Sequence, residues 1–86
     1  MPTVAVIFGL TIMLFYVDHD PAHFHVRGLG FSAKVMLADL SLASVRGEIR
    51  SRDVRRIREW ALRHRAELWD NWLRARRGEP LVAIKG

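Results

Sequence analysis

Three of the chain's four histidines, His19, His23 and His25, fall in the stretch Asp18-His19-Asp20-Pro21-Ala22-His23-Phe24-His25-Val26-Arg27. Imidazole is the side chain whose ordinary pKa lets it give and take a proton near neutral pH. His23, His25 and Arg27 alternate with Phe24 and Val26, so in a strand the two imidazoles and the guanidinium share one face. A loop at 28–31 pairs Arg27 with Ser32, His25 with Lys34 and His23 with Met36. That register gathers two histidines, an arginine and a lysine on one patch, whereas a slip of one residue turns Lys34 away.

Three chemistries fit this set. In the first, His23 and His25 act as an acid–base pair on a phosphodiester. One imidazole deprotonates a ribose 2′-hydroxyl and the other protonates the leaving oxygen, while Arg27 or Lys34 stabilises the charge building on phosphorus. Asp18 or Asp20 orients a ring, and no cofactor is needed. In the second, His-x-His aims two imidazoles at one point, and His19 or an aspartate completes the three or four ligands of a divalent metal site. The spacing matches no common zinc signature, and two nearby cations oppose a divalent ion. In the third, the same residues cap a turn and bond backbone groups at the sheet edge.

The elements that must position these residues read as strands first and a helix last, over a single domain of 86 residues. Val4–Phe8 and Thr11–Tyr16 are β-branched and aromatic runs joined at Gly9-Leu10, which predicts a hairpin with a type II′ turn. Both runs are apolar on both faces, so this hairpin is expected to be central or covered on both sides. The second hairpin pairs 23–27 with 32–37, and Leu40 to Val45 is a fifth, weaker strand ending near Gly47. The strands thus span about 3–45. From Arg52 to Arg77 nothing breaks a helix, with Ser51 as the cap, Asp53 in the first turn, Gly78 beyond the end and Pro80 forbidding continuation. The spacing predicts one long rod, with a bend near His64 to Ala66 as the alternative. The tail is 78–86.

At 100° per residue Val54, Ile57, Ala61, His64, Leu68, Trp72 and Ala75 form a stripe to lie on the sheet, with Trp60 and Asn71 at its edge. His64 in that stripe is expected to be an interior group or to reach toward His23 or His25. Arg55, Glu59, Arg63 and Glu67 form a solvated ladder of i,i+4 pairs. Leu62, Trp69 and Leu73 form a second apolar stripe, expected either to dock a partner or twin subunit or to lie under the folded-back tail. The predicted class is α+β: a small antiparallel sheet of four to five strands with one long C-terminal helix packed on it.

Composition narrows the function further. Without cysteine there are no disulfides, thiolate metal sites or cysteine nucleophile. The opening apolar run from Val4 to Val17 is too short to span a bilayer and lacks the basic start of a signal peptide. A cytoplasmic location with no membrane partner is expected. The net charge is +5, and residues 46–86 hold eleven arginines and Lys85 against six acids. A basic half suggests a polyanion, and Arg52, Arg55, Arg56 and Arg63 are the helix residues that would meet it.

The pieces Met1-Pro2-Thr3, Asp18-His19 with Pro21-Ala22-His23-Phe24-His25-Val26, Trp60, His64-Arg65-Ala66-Glu67-Leu68 and Asn71-Trp72 resemble small bacterial proteins of the domain of unknown function 4160 family. The resemblance covers most of the chain and departs at Ala22, where a second proline is usual. It implies an α+β fold and a small neighbouring partner protein, as in toxin–antitoxin-like pairs, and some members are labelled transcriptional regulators. It supplies no catalytic residue. The leading expectation is therefore a component of a toxin–antitoxin-like module acting on RNA or DNA, with a metal-independent histidine ribonuclease activity at His23, His25, Arg27 and Lys34. The alternatives are a non-catalytic DNA-binding antitoxin or regulator using the helix arginines, and a histidine metal-binding domain.

Overall fold

Short β-branched runs joined by turns and short connections favour pairing of each strand with its sequence neighbour. The computed structural model describes residues 2–16 and 18–86; Met1 and Val17, which entered the family motif and the opening apolar run, lie outside the described residues. The strands are β1 (Thr3–Ile7), β2 (Leu10–Met13), β3 (His23–Gly28), β4 (Phe31–Met36) and β5 (Leu42–Gly47), in one antiparallel sheet of order β1-β2-β3-β4-β5. Two helical segments follow, α1 (Ser51–Arg63) and α2 (Arg65–Arg76). The α+β class and the sheet-then-helix order are as the sequence predicts.

The first hairpin turns one residue earlier than its glycine suggested. Ile7 pairs with Leu10, and the turn is Phe8-Gly9, with φ of 49° and 77°. Positive φ at both positions is the type I′ pattern, whose twist matches the strands it joins. The core decides this, because Leu10 is buried whereas Phe8 is exposed beneath the Arg56 guanidinium, 4.5 Å from its ring centroid. The hairpin is also an edge element, not a central one, and Val6 stays exposed.

The second hairpin has the predicted pairing: His23 with Met36, His25 with Lys34 and Arg27 with Ser32. Its turn is only Leu29-Gly30, so β3 runs on to Gly28 and β4 starts at Phe31. A Cβ at Gly28 would stand 2.3 Å from the Phe31 ring and 2.7 Å from Leu10, so a larger residue there would displace these core side chains. Between β4 and β5 the register shifts, with Ser32 opposite Arg46 but Lys34 opposite Ala43.

The predicted rod is two segments. At His64 the backbone leaves helical values (φ −115°, ψ 23°), although its N–H still bonds the Trp60 and Ala61 carbonyls. The side chains flanking the break are claimed elsewhere. His64 turns to Glu67, at 2.6 Å, and the Arg65 guanidinium donates to the carbonyls of Leu37 and Ala38 beyond β4. Arg50, not Ser51, occupies the N-cap and gives no side-chain bond. The C-terminus closes as Gly78 predicts: Gly78 N–H bonds Ala75 O, Glu79 N–H bonds Arg74 O, and Gly78 takes φ 70°. This is the Schellman pattern, which satisfies carbonyls the helix leaves open.

One face of the sheet carries Phe24, Val26, Ala33 and Val35, packed in a core with Ile57, Trp60, Ala61, Leu68 and Trp72. Each large side chain so buried contributes about 1.5–3 kcal/mol. The segments divide the work: Trp60 of α1 meets Phe24 edge-on, while Trp72 of α2 lies against His23, 5.2 Å between ring centroids. The tail folds back, but toward β1 and not over the second stripe. Ile84 N–H bonds Val4 O, Trp60 Nε1 donates to Lys85 O, and the Asn71 amide pairs with both backbone groups of Val82. Leu62, Trp69 and Leu73 remain exposed. No helix among the described residues is long and apolar enough to cross a membrane.

Candidate functional site

The chemistry-bearing turn enters β3 through Asp20-Pro21, joined by a cis peptide bond. Two anchors hold it. Asp20 pairs with Arg76 of α2 at 2.9 Å, on the surface, and Ala22 O accepts from Leu37 N–H at 3.0 Å. Asp20 is thereby spent on a helix contact and orients no imidazole.

Asp18 is the organising carboxylate. Its Oδ2 lies 2.8 Å from His23 Nε2 and 3.1 Å from His25 Nε2, and its Oδ1 accepts from the His19 backbone N–H at 3.0 Å. Alternation puts His23 and His25 on the same side of β3, so one carboxylate oxygen meets both. His23 is 2% exposed, walled by Trp72 and by the His25 ring at 5.0 Å. His25 is partly open and leans on Phe15, 4.3 Å between centroids. His19 is exposed, with its ring 6.0 Å from that of His23.

The ring nitrogens of His23 have unequal fates. Nδ1 lies 2.8 Å from the Pro21 carbonyl. A carbonyl can only accept, so Nδ1 carries a proton, and in the uncharged form of the ring Nε2 is left with a lone pair. That lone pair stands 2.8 Å from a carboxylate oxygen, out of line for a hydrogen bond, and Nε2 is a buried nitrogen without a hydrogen-bond partner. In that form the two acceptors repel, which a proton on Nε2 or a cation bound to both relieves.

Burial acts first on both titrating neighbours. It pushes the Asp18 carboxyl up, but the bonds from His25 and the His19 N–H, with the charges of His23 and His25, outweigh it and leave the pKa below the ordinary value. For His25 burial lowers the pKa, the Asp18 bond raises it, and the nearby His23 and Lys34 charges add to the lowering, so the ring favours its neutral form.

Asp18, His23 and His25 each offer one donor atom, all within 4.8 Å of one another. Beside them an open concavity of about 230 Å³ lies on the helix-free side of the sheet. It is lined by His25, Arg27, Ser32, Lys34, Ser44 and Arg46, with Met13 and Phe15 at its apolar end. His25 thus belongs to both the carboxylate cluster and the cationic surface.

The sequence model of the family described as Domain of unknown function (DUF4160) matches residues 9–73. The chain belongs to the DUF4160 family. The matched span holds Asp18, His23, His25, Trp72 and every residue lining the concavity, and it omits β1 and the tail. No curated protein and no solved structure matches the chain.

Within this DUF4160 domain the structure brings together His23, His25 and Asp18, with His19 at the rim, and sets Arg27 and Lys34 beside His25. It does not bring in His64, which meets Glu67 and the Trp60 ring instead. Arg52, Arg55, Arg56 and Arg63 sit on α1, which packs on the opposite side of the sheet from the concavity. Three contributors escape sequence reasoning. Arg46 and Ser44 arrive through the register shift opposite β4, for which the sequence has no signal. Trp72 reads as a core aromatic, and its contact with His23 is tertiary.

Proposed function

We propose that this DUF4160 protein binds the phosphate backbone of nucleic acid through the helix-free sheet face, as one member of a toxin–antitoxin-like pair. The observation that carries this reading is the gathering of Arg27, Lys34, Arg46 and His25 with Ser32 around a single concavity. Cations and a hydroxyl on a shallow open surface suit a polyanion, and phosphate contacts of this kind position a nucleic acid without reading its sequence. The exposed Leu62, Trp69 and Leu73 offer a separate face to a cognate protein or a twin subunit.

The geometry favours binding over a two-histidine cleavage relay. In-line displacement needs base and acid on opposite sides of phosphorus. Here both Nε2 atoms meet one carboxylate oxygen, and His23 is buried. If cleavage occurs without a cofactor, His25 is the imidazole that reaches substrate and Asp18 orients it. A second reading, favoured by the unpartnered Nε2 of His23, is a divalent metal ion at this end of the sheet.

Fluorescence anisotropy with labelled single-stranded RNA and duplex DNA across a salt series tests the first reading. Lys34→Ala and Arg46→Ala should each weaken binding and flatten the log–log salt slope by roughly 0.7–0.9. Arg52→Ala with Arg55→Ala should leave it unchanged. The reverse pattern would assign recognition to α1.

A further inference from the structure

We propose that Asp18 Oδ2, His23 Nε2 and His25 Nε2 form a three-ligand site for a borderline transition-metal dication of the zinc class, with the remaining coordination positions left to water or an anionic ligand. The proposal deepens the metal-ion reading and rests on it. It names the donor atoms, the class of ion and the type of site.

Spacing is the first argument. Ligands about 2.0–2.2 Å from one ion, at angles between octahedral and tetrahedral, stand roughly 2.8–3.5 Å apart. The two nitrogens lie 2.8 and 3.1 Å from Asp18 Oδ2. A hydrogen bond would give similar lengths, and for His25 it accounts for the contact. It does not account for His23, whose Nε2 is buried and unpartnered although it lies 2.8 Å from the carboxylate oxygen.

The surroundings are the second argument. A metal-binding histidine almost always donates its other ring N–H to a carbonyl or carboxylate, which fixes the tautomer and the ring plane. His23 Nδ1 does this with Pro21 O at 2.8 Å, two residues away on a turn itself held by Leu37. Trp72 and Phe15 wall the two imidazoles and keep the donor set partly dry.

Donor chemistry selects the ion. Two imidazoles and one carboxylate suit zinc, iron(II), cobalt(II) or manganese(II) better than magnesium or calcium, which prefer oxygen ligands. Three protein ligands leave a coordination position open, the arrangement of reactive rather than purely structural sites. His19 is exposed at the rim and stands outside the set. Because His25 also lines the cationic concavity, an anion held by Arg27, Lys34 and Arg46 lies within reach of those open positions.

The test is calorimetric titration of the untagged, chelator-treated full chain with Zn²⁺, Co²⁺, Mg²⁺ and Ca²⁺, without nucleic acid, alongside the visible spectrum of the Co²⁺ form. The expected result is one Zn²⁺ or Co²⁺ per chain, cobalt absorption bands, and a higher Tm on loading. Asp18→Asn and His25→Gln should each weaken Zn²⁺ by about 100-fold or more while circular dichroism stays native. His23→Gln should do the same, and if it fails to fold the other two variants decide. His19→Ala should change affinity by less than about threefold. Stoichiometric binding of Mg²⁺ or Ca²⁺ alone would overturn this assignment but leave a metal site. A folded protein that binds none of the four ions would overturn both. Zinc affinity unchanged in Asp18→Asn and His25→Gln, or lost in His19→Ala, would show surface histidines scavenging the ion.

Discussion

Two regions of this DUF4160 domain place a histidine against a carboxylate, and they differ in nearly everything else. At the helix break, His64 meets Glu67 three residues on, at 2.6 Å, with the carboxylate half exposed. At the start of β3, His23 meets Asp18 across the four residues 19–22, at 2.8 Å, with the ring buried and one nitrogen unsatisfied. The first pair is local and complete, and with its carboxylate open to solvent such a pair is worth little. The second is assembled by a turn, two strands and a helix, and it ends on an atom that lacks a partner. Nearness to a carboxylate does not mark a site. Burial with an unmet valence does.

This contrast sets the order of expected effects. His23→Ala should be the most damaging change. It removes a ring packed on Trp72 and opens a void, at a cost of about 2–4 kcal/mol by the scale of buried large-to-small substitutions. His64→Ala removes a ring that keeps one-fifth of its surface open and leaves no buried polar atom unpaired, so it should cost less. Urea midpoints of the two variants measure the gap, and equal losses would erase the distinction between the regions.

Asn71→Ala comes next. Asn71 is buried, and its amide supplies both an acceptor and a donor to Val82, so truncation strands two backbone groups. A loss of about 1–3 kcal/mol is expected, with faster proteolysis of the tail after Arg77. Loss of stability without tail release would mean that the tail is held chiefly by Ile84 and Trp60.

The smallest effect concerns Asp39, the solvated counterpart of Asp18. Bonds from the Ser41 hydroxyl (2.7 Å) and N–H (3.0 Å) hold its carboxyl below the ordinary value. A carboxylate with a depressed folded-state pKa adds stability above its unfolded value and loses it as pH falls through the folded one. Ser41→Ala should therefore narrow the difference in urea midpoint between pH 7 and pH 3. A wider difference would contradict the assignment.

Much of this was readable from the chain because local rules and core demands agreed. The β3–β4 register follows from alternation around a glycine-bearing turn, so the juxtaposition of His25 and Lys34 needs only the sequence. The Schellman closure at Gly78 is equally local. The misplacements share one cause, tertiary contacts overriding a local signal. Leu10 is drawn into the core, which forces Phe8 into positive φ. Arg65 is drawn to the carbonyls of Leu37 and Ala38 beside the break in the rod. Asp20 is drawn to Arg76, which leaves Asp18 alone as the carboxylate of the cluster. The register shift that delivers Arg46 depends on β4 and β5 jointly and has no mark in either strand.

The central claim is that the gap between His23 Nε2 and Asp18 Oδ2 is shaped for a cation. Anomalous diffraction at the zinc edge, from crystals of the untagged protein grown with equimolar Zn²⁺, tests it most directly. The account predicts one peak about 2.0–2.2 Å from Asp18 Oδ2, His23 Nε2 and His25 Nε2. A map with no peak there, or with its strongest peak between His64 and Glu67, would contradict it.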